Sequence, residues 1–137
     1  MKKIISICIL SLLMISCSTP SEEADKKDIL DLMKMQENAW SNNDLEGFMQ
    51  GYWKSDSLKF YGSSGLTYGW EKTLANYKKG YPTKNETGTL NFKINDVSYF
   101  VMGEYHLKRT IGDADGVFMI IFKKINGEWK IIADTSC

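Results

Sequence analysis

The chain has 137 residues, of which 43% are hydrophobic and 25% charged, with 17 basic and 17 acidic side chains. This length predicts one globular domain that is large enough to bury a core of its own. Because the two signs of charge balance and are interspersed along the chain, the composition excludes the basic surface that a nucleic-acid partner requires.

The start of the chain has the pattern of a secretory signal. Lys2 and Lys3 give a positive start, an apolar run covers residues 4–15, and a small residue precedes Cys17. The run is shorter than the roughly 20 residues that a transmembrane helix needs. A cysteine in this position resembles the lipobox of bacterial lipoproteins, in which a diacylglycerol is attached to the thiol, although Met14 stands where leucine is usual. The alternative is an ordinary cleaved signal with an incidental cysteine.

The signal divides the chain into three segments. We predict a signal peptide at residues 1–16, a polar lipidated tether at 17–27 and a single domain at 28–137. Lipidation of Cys17 would anchor the protein in the cell envelope, and we expect the outer membrane, on its periplasmic or surface face. Loss of the signal also removes its two lysines, which leaves 15 basic against 17 acidic side chains.

Cysteine usage predicts a fold that depends on packing alone. Cys8 leaves with the signal and Cys17 would be lipidated, so only Cys137 remains in the domain. No intramolecular disulfide is therefore available. Cys137 is interpreted as a frayed terminal thiol, and the alternative is a mixed disulfide with another chain.

Three helices are predicted in the first half of the domain, because apolar residues recur there at three- and four-residue spacing. The first begins at Asp28 and ends before the polar run 41–44, which supplies the cap of the second. The third ends at Gly80 and Pro82. The three stripes are Ile29, Leu32, Met33, Gln36 and Trp40; Leu45, Phe48, Met49 and Tyr52; and Trp70, Leu74, Tyr77 and Tyr81.

Strands are predicted where the spacing changes to two. A short strand precedes the third helix, and the segment 62–65 is expected to end it. After Pro82 the pattern indicates a run of antiparallel strands, the last two joined at Asn126-Gly127, a strong hairpin signal. The fold class is therefore α+β, with three helices on one face of a curved, mostly antiparallel sheet. The predicted strands are 58–61, 90–94, 97–110, 117–124 and 128–134.

The order of these elements, together with two local motifs, resembles the nuclear transport factor 2-like superfamily. The motifs are the helix junction at 43–47 (Asn-Asp-Leu-Glu-Gly) and the closing run at 127–136, where Thr135 stands in a position that is often histidine. The segments at 51–55, 68–70 and 112–113 are similar to a bacterial subgroup without an established activity. The resemblance implies a cone-shaped domain with an internal pocket, which commonly dimerises through its sheet.

The superfamily includes ketosteroid isomerase and polyketide cyclases, so the isomerase machinery can be compared with this chain. Aligned on the helix junction, the position of the isomerase base falls at Phe60, and that of a tyrosine on its first helix falls at Gln36. Phenylalanine cannot accept a proton. Ketosteroid-isomerase chemistry is therefore not expected.

Two charged residues are candidates for a site within the cone. Arg109 shares a strand face with the more apolar residues, and a partly buried guanidinium needs an anionic partner. That partner is either an internal carboxylate, Asp134 or Asp113, in a salt bridge at the rim, or the acidic group of a ligand. His106, the single histidine, lies on the opposite face of the same strand and is expected outside the pocket.

All 17 aromatic residues lie from Trp40 onward, and most must form the core of so small a domain. Tyrosine and tryptophan around an apolar cavity are also typical of a small-molecule site. The predicted pocket residues are Trp53, Tyr68, Trp70, Tyr77, Tyr105, Arg109 and Asp134.

The other candidate motifs for catalysis or metal binding lack residues that those sites require. The segment 62–65 is not a nucleophile elbow, and the acidic turn at 113–116 lacks the later ligands of a calcium loop. One histidine without a cysteine pair does not make a zinc site. No metal and no cofactor are predicted.

Three functions stay open at this point. The favoured one is a lipid-anchored domain whose pocket binds a small apolar or weakly anionic molecule. The second is an isomerase, cyclase or hydrolase that uses Asp134 with Tyr68 or Tyr105 as proton carriers. The third is a module for dimerisation or docking, in which the open sheet face is the interface.

Overall fold

The structure is a computed structural model that describes residues 21–137. The predicted signal peptide, Cys17 and the start of the tether lie outside the described residues. Within the described part, no helix combines the length and the apolar character that crossing a bilayer demands. The helices are α1 (Glu22–Ser41), α2 (Leu45–Met49), α3 (Trp70–Gly80) and α4 (Lys84–Thr87). The strands are β1 (Lys59–Gly62), β2 (Gly65–Tyr68), β3 (Thr89–Val97), β4 (Phe100–Lys108), β5 (Ala114–Ile125) and β6 (Glu128–Ser136).

The first helix begins earlier than predicted. Ser21 caps α1 by accepting a hydrogen bond from the backbone of Ala24, and the helix runs from residue 22. Asp25 accepts hydrogen bonds from Lys124 Nζ at 2.7 Å and Trp129 Nε1 at 3.2 Å. Residues 22–27 are therefore helical, and Asp25 connects this first part of α1 to β5 and β6.

The sheet has six strands in the order β2-β1-β6-β5-β4-β3. All neighbours are antiparallel except β1 and β6, which pair in parallel with Phe60 opposite Asp134. The segment 62–65 ends the first strand as predicted, and it does so as a tight hairpin from which a strand that was not predicted, β2, returns. The fold class is confirmed: an α+β domain with helices on one face of a mostly antiparallel sheet.

The helices cover the concave face of the sheet. Register shifts at Ile94/Asp96 and at Ile121/Phe122 mark bulges, which bend strands and strengthen their twist. On β4, Val101 and Leu107 are buried on this face, as the alternation predicts. The core is formed by apolar residues of α1, α2 and α3 against β3 to β6, with Ile29, Met33, Met49, Leu58 and Ile131 almost completely buried.

Candidate functional site

A cavity of about 690 Å³ lies between the helices and the concave face of the sheet. This volume is within the range of small-molecule sites, which are mostly apolar and contain a few convergent polar groups. The curvature of the sheet keeps β1 and α3 away from β3 and β4, so the core does not fill the space between them. The apolar wall is made by Trp40, Phe48, Phe60, Leu90, Phe92, Leu107, Phe118 and Ile120.

Trp40 organises the aromatic part of this wall. Its ring meets those of Phe48, Tyr77 and Tyr81 edge to face, with centroids 4.7 to 5.5 Å apart. The indole Nε1 donates to the carbonyl oxygen of Thr87 at 3.0 Å. These contacts hold the end of α1, the middle of α3 and α4 in one arrangement, so the wall is rigid on this side.

A buried carboxylate lies at the inner end of the cavity. Asp134 is 6% exposed, and its Oδ2 accepts a hydrogen bond from the Tyr52 hydroxyl at 2.5 Å. Its Oδ1 accepts one from Ser136 Oγ at 2.7 Å. Burial raises the pKa of Asp134, while the hydrogen bonds from Tyr52 and Ser136 counteract that rise.

The tyrosines around Asp134 stay protonated. Burial, followed by the negative charge of Asp134, raises the pKa of Tyr52 well above its usual range, and the same two causes act on Tyr77. Tyr52 and Tyr77 are therefore hydrogen-bond donors at neutral pH. The inner end can stabilise one negative charge, or hold and release one proton on Asp134.

Gln36 is the second polar group at the inner end. The residue is completely buried in the middle of α1 and lines the cavity. Its Nε2 donates to the carbonyl oxygen of Phe48 at 3.1 Å, which fixes the orientation of the amide because a carbonyl can only accept. Its Oε1 has no hydrogen-bond partner among the described residues. A buried acceptor without a donor is costly, and because this atom is closed off from the cavity space, a ligand reaches it only if the inner end rearranges.

The mouth of the cavity carries positive charge. Arg109 and Lys79 line it, and neither forms a salt bridge with any residue from 21 to 137. The Arg109 Nε donates to the carbonyl oxygen of Gly112 at 2.7 Å, which leaves the two terminal nitrogens of the guanidinium without an anion. Tyr105 lies further inward on the same face, beyond Leu107, and burial raises its pKa.

Neither internal partner predicted for Arg109 pairs with its guanidinium. Asp134 is held by Tyr52 and Ser136 at the inner end, far along the strand from the mouth. Asp113 accepts from the Arg109 backbone N–H at 3.2 Å and from Lys108 Nζ at 2.6 Å, because it sits inside the turn between β4 and β5. The rim salt bridge is therefore absent among the described residues.

Four of the seven predicted pocket residues line the cavity, namely Tyr77, Tyr105, Arg109 and Asp134. Trp70 does not, because its indole is buried beneath Lys54 and donates to the carbonyl oxygen of Met49 at 2.8 Å. Tyr68 points away from the helices on β2 and is 55% exposed. Trp53 is half-buried beside β6, where its backbone N–H bonds to Ile131.

The sequence analysis did not identify Gln36 and Tyr52 as site residues. Both lie within the apolar stripes of predicted helices, so their place on a buried face was visible. The signal for Gln36 was an amide in an otherwise apolar stripe. Tyr52 gave no such signal, because its partner Asp134 is brought to it by a parallel bridge between Tyr52 and Ile131 of β6, 79 residues further along the chain.

His106 lies on the outer face of β4, as predicted. Its Nδ1 lies 2.7 Å from Asp115 Oδ1, and its Nε2 lies 3.7 Å from Glu104. Within residues 21–137, no three histidine, cysteine or acidic side chains are grouped so that they could hold a metal ion.

A solved structure from Shewanella oneidensis, described as a nuclear transport factor 2-like protein of unknown function, is 39% identical to this chain. The similarity covers 82% of this chain and 98% of that one, with a TM-score of 0.76. The chain belongs to the nuclear transport factor 2-like superfamily. A superfamily protein from Salmonella enterica serovar Typhimurium, 17% identical, aligns over 85% of this chain and 92% of its own with a TM-score of 0.66. A cystatin-like protein of unknown function from Nostoc punctiforme, also 17% identical, aligns over 82% and 89% with a TM-score of 0.60.

No family model matches the chain, and no curated protein matches it. The resemblance to the superfamily in the sequence is thus confirmed by structure. The superfamily carries many functions on one fold, so the function must be argued from the cavity itself.

Proposed function

We propose that this protein is a lipid-anchored domain of the cell envelope whose cavity binds a small apolar or weakly anionic molecule. The observation that carries the proposal is the cavity of about 690 Å³, with an aromatic wall and polar groups only at its two ends. A volume and lining of this kind match a ligand site. The uncompensated cations at the mouth favour a ligand with negative charge.

The direction of α1 determines how the proposed lipid anchor lies relative to the mouth of the cavity. Helix α1 begins beside the β5–β6 hairpin and ends beside Leu90, whose N–H donates to Ser41 Oγ. Its 20 residues span about 30 Å. Cys17 lies four residues before Ser21, a separation of at most about 14 Å. Acyl chains on Cys17 would therefore hold the end of the domain opposite the mouth, and the cavity would open away from the bilayer.

The binding proposal is tested with anilinonaphthalene sulfonate, an apolar dye with one negative charge that fluoresces in dry sites. The chain is expressed from Ser18, which keeps every described residue. Ile120→Trp fills the cavity from the inner face of β5, whereas Lys123→Trp adds the same side chain on the outer face of that strand. We expect the dye to bind the wild type and Lys123→Trp, with a loss of at least tenfold in affinity for Ile120→Trp. Equal binding to all three would contradict the proposal.

The anchoring proposal is tested in cells with the full chain. We expect the intact mass of the mature protein to begin at Cys17 and to include acyl chains, with membrane retention after high salt. Cys17→Ala should remove the acyl mass. A mature wild-type protein without acyl chains would contradict the anchor and leave the binding proposal standing.

An enzyme is the second candidate, because a buried carboxylate with a raised pKa inside a cavity is typical of acid–base catalysis. The proton carriers would then be Tyr52 or Tyr77 rather than the predicted Tyr68, which lies outside the cavity, or Tyr105, which lies at the mouth end. Any compound that binds should be recovered after incubation and identified by mass. Conversion by the wild type that is lost in folded Asp134→Asn would establish catalysis, and unchanged compound would favour a binding protein.

We further propose a homodimer through the outer face of the sheet. Five apolar side chains on β4 and β5 are between 38% and 60% exposed on this face: Phe100, Met102, Val117, Met119 and Ile121. We call this set the outer patch. Contiguous apolar surface of this kind commonly marks a protein interface.

A further inference from the structure

The end of the domain at which α1 begins presents an exposed aromatic side chain. Tyr99 lies in the turn between β3 and β4 and is 67% exposed, more than any other large apolar side chain among residues 21–137. Its ring packs against that of Trp129, with the centroids 5.9 Å apart, and its carbonyl oxygen accepts a hydrogen bond from the Phe122 N–H at 2.8 Å. The sheet therefore fixes the position of Tyr99, while most of its side chain stays in contact with solvent.

Tyr99 is connected through Trp129 to the start of α1. The indole Nε1 of Trp129 donates to Asp25 Oδ1 at 3.2 Å, and Lys124 Nζ lies 5.5 Å from the centre of the same ring. The backbone N–H of Asp25 in turn donates to the carbonyl oxygen of Ser21 at 3.1 Å. These contacts place Tyr99 close to the first described residues of the chain. We call the group of Tyr99, Trp129, Lys124 and Asp25 the anchor end.

Charged side chains around the anchor end are paired with opposite charges. Three lysines there form ion pairs: Lys124 with Asp25, Lys130 with Glu128 and Lys26 with Glu22. Attraction to anionic lipids depends on a cluster of basic residues, which these pairs do not supply. Tyrosine and tryptophan are enriched at membrane–water interfaces for a different reason, because one part of each ring is apolar and another part is polar. The anchor end therefore suits the interface of a bilayer without net charge.

The position of the proposed anchor favours this end of the domain over the other. Cys17 lies four residues before Ser21, so a lipidated thiol lies at most about 14 Å from the start of α1. Ile111, in the turn after β4, is also exposed, at 59%. The nine residues of β4 lie between Ile111 and Tyr99, and a strand of this length spans about 30 Å. Of the two exposed side chains, Tyr99 is the one beside the anchor.

From this arrangement we infer that the partner of the anchor end is the lipid headgroup region, which Tyr99 enters while the mouth of the cavity points away from the bilayer. The inference rests on the proposed lipid anchor and adds the contact that orients the domain. A tether of four residues limits the distance of the domain from the membrane but not its direction, and the contact of Tyr99 supplies the direction. This surface is separate from the outer patch, because Tyr99 packs on Trp129, which bonds to a helix on the other side of the sheet.

The orientation is measured by nuclear magnetic resonance on the full, acylated chain in phosphatidylcholine nanodiscs that carry a nitroxide on the lipid headgroups. The nitroxide broadens the signals of amides that lie near the headgroups. We expect strong broadening at residues 97–100 and 125–128, in the two turns of the anchored end, and none at residues 109–113, in the turn at the opposite end of β4.

Substitution of Tyr99 tests the contact itself. Because the anchor makes the contact intramolecular, Tyr99→Ser should reduce the broadening at residues 97–100 about fivefold without releasing the protein from the nanodisc. Tyr99→Phe keeps the ring and should retain most of the broadening. Ile111→Ser is the matched control at the opposite end and should behave as the wild type. Circular dichroism confirms that each variant is folded.

The outcomes separate this inference from the proposed anchor. In a protein whose mass includes acyl chains, equal broadening at the two ends of β4 would overturn the membrane contact and leave the anchor standing. Broadening that Tyr99→Ser leaves unchanged would do the same. A mature protein whose mass lacks acyl chains would overturn both the anchor and the contact, while the proposed binding of small molecules in the cavity would stand.

Discussion

The two faces of strands β4 and β5 are both apolar, yet they have opposite environments. On the inner face, Val101, Leu107, Phe118 and Ile120 are at most 5% exposed under the helices or against the cavity. On the outer face, the outer patch is between 38% and 60% exposed. An antiparallel sheet with one solvated face usually alternates apolar and polar residues. This departure from the usual pattern is the reason for proposing a dimer through the outer face.

The polar groups on the two faces also differ in their exposure to solvent. The inner face buries Asp134 and holds it with two hydrogen bonds. The outer patch is bordered instead by exposed ion pairs, such as Lys93 with Glu104 and His106 with Asp115. The concave face thus suits a small molecule with a few directed polar contacts, and the outer face suits a broad apolar partner with a charged rim.

The largest effect is expected on dimerisation, for a substitution within the outer patch. Met119→Glu places a charge at the centre of the outer patch, and burying it in a dimer would leave it unpaired. We expect the dimer to weaken at least about a hundredfold, measured by sedimentation equilibrium. Ile111→Glu is the control, because Ile111 is an exposed apolar residue in the β4–β5 turn outside the patch. A wild-type protein that stays monomeric at millimolar concentration would contradict the proposed dimer.

The second-largest effect is expected on the free energy of unfolding, for a substitution on the inner face. Tyr52→Phe removes the donor to Asp134 Oδ2 and leaves a buried carboxylate with one hydrogen bond. We expect the free energy of unfolding at pH 7 to fall by about 2 kcal/mol, the usual cost of a buried charged group that loses a partner. Tyr105→Phe, at the mouth, should change stability little. Equal losses in the two variants by urea denaturation would show that the Tyr52–Asp134 contact is unimportant.

The pH dependence of stability is the third test, and its sign follows from Asp134. Because burial raises the pKa of Asp134 above its ordinary 3.8, the folded chain keeps this proton to a higher pH than the unfolded chain. The stability from this group is therefore complete below pH 3.8 and is lost as the pH rises through the folded pKa. Asparagine does not titrate, so Asp134→Asn should gain stability relative to wild type over that window. A relative stability that is constant or falls with rising pH would disprove the assignment.

The smallest expected effect concerns the start of the domain. Asp25→Asn removes the ion pair to Lys124 and weakens the bond from Trp129 Nε1. We expect faster hydrogen exchange confined to the first two turns of α1. Asp31→Asn is the control, because Asp31 lies in the third turn and its ion pair with Lys27 is exposed. Unchanged exchange in Asp25→Asn would mean that other contacts fix this end of the helix.

Much of the fold was predictable because its elements are encoded locally. The helical stripe that ends at Trp40, the alternation along β4 and the Asn126-Gly127 turn each specify structure within a few residues. Helix α4 was missed, although Thr83 and Glu86 form a capping box around it. Its four residues carry no apolar period by which a helix could be recognised.

The site was less predictable, because it depends on pairing between distant segments. The alternation on β4 correctly placed Tyr105 and Arg109 on the cavity side. The parallel bridge between Tyr52 and Ile131 of β6 brings Asp134 near Tyr52, and nothing in the local sequence encodes it. Trp70 was misassigned for a related reason, since an aromatic residue in a stripe looks the same whether it faces the cavity or the core.

The central claim is that the space between the helices and the concave sheet face is a ligand site. The most direct measurement is a crystal structure of the protein with anilinonaphthalene sulfonate. The account predicts one dye molecule in the cavity, with its sulfonate towards Arg109 and Lys79 at the mouth. A dye molecule bound only on the outer face, with the cavity closed by side chains, would contradict it.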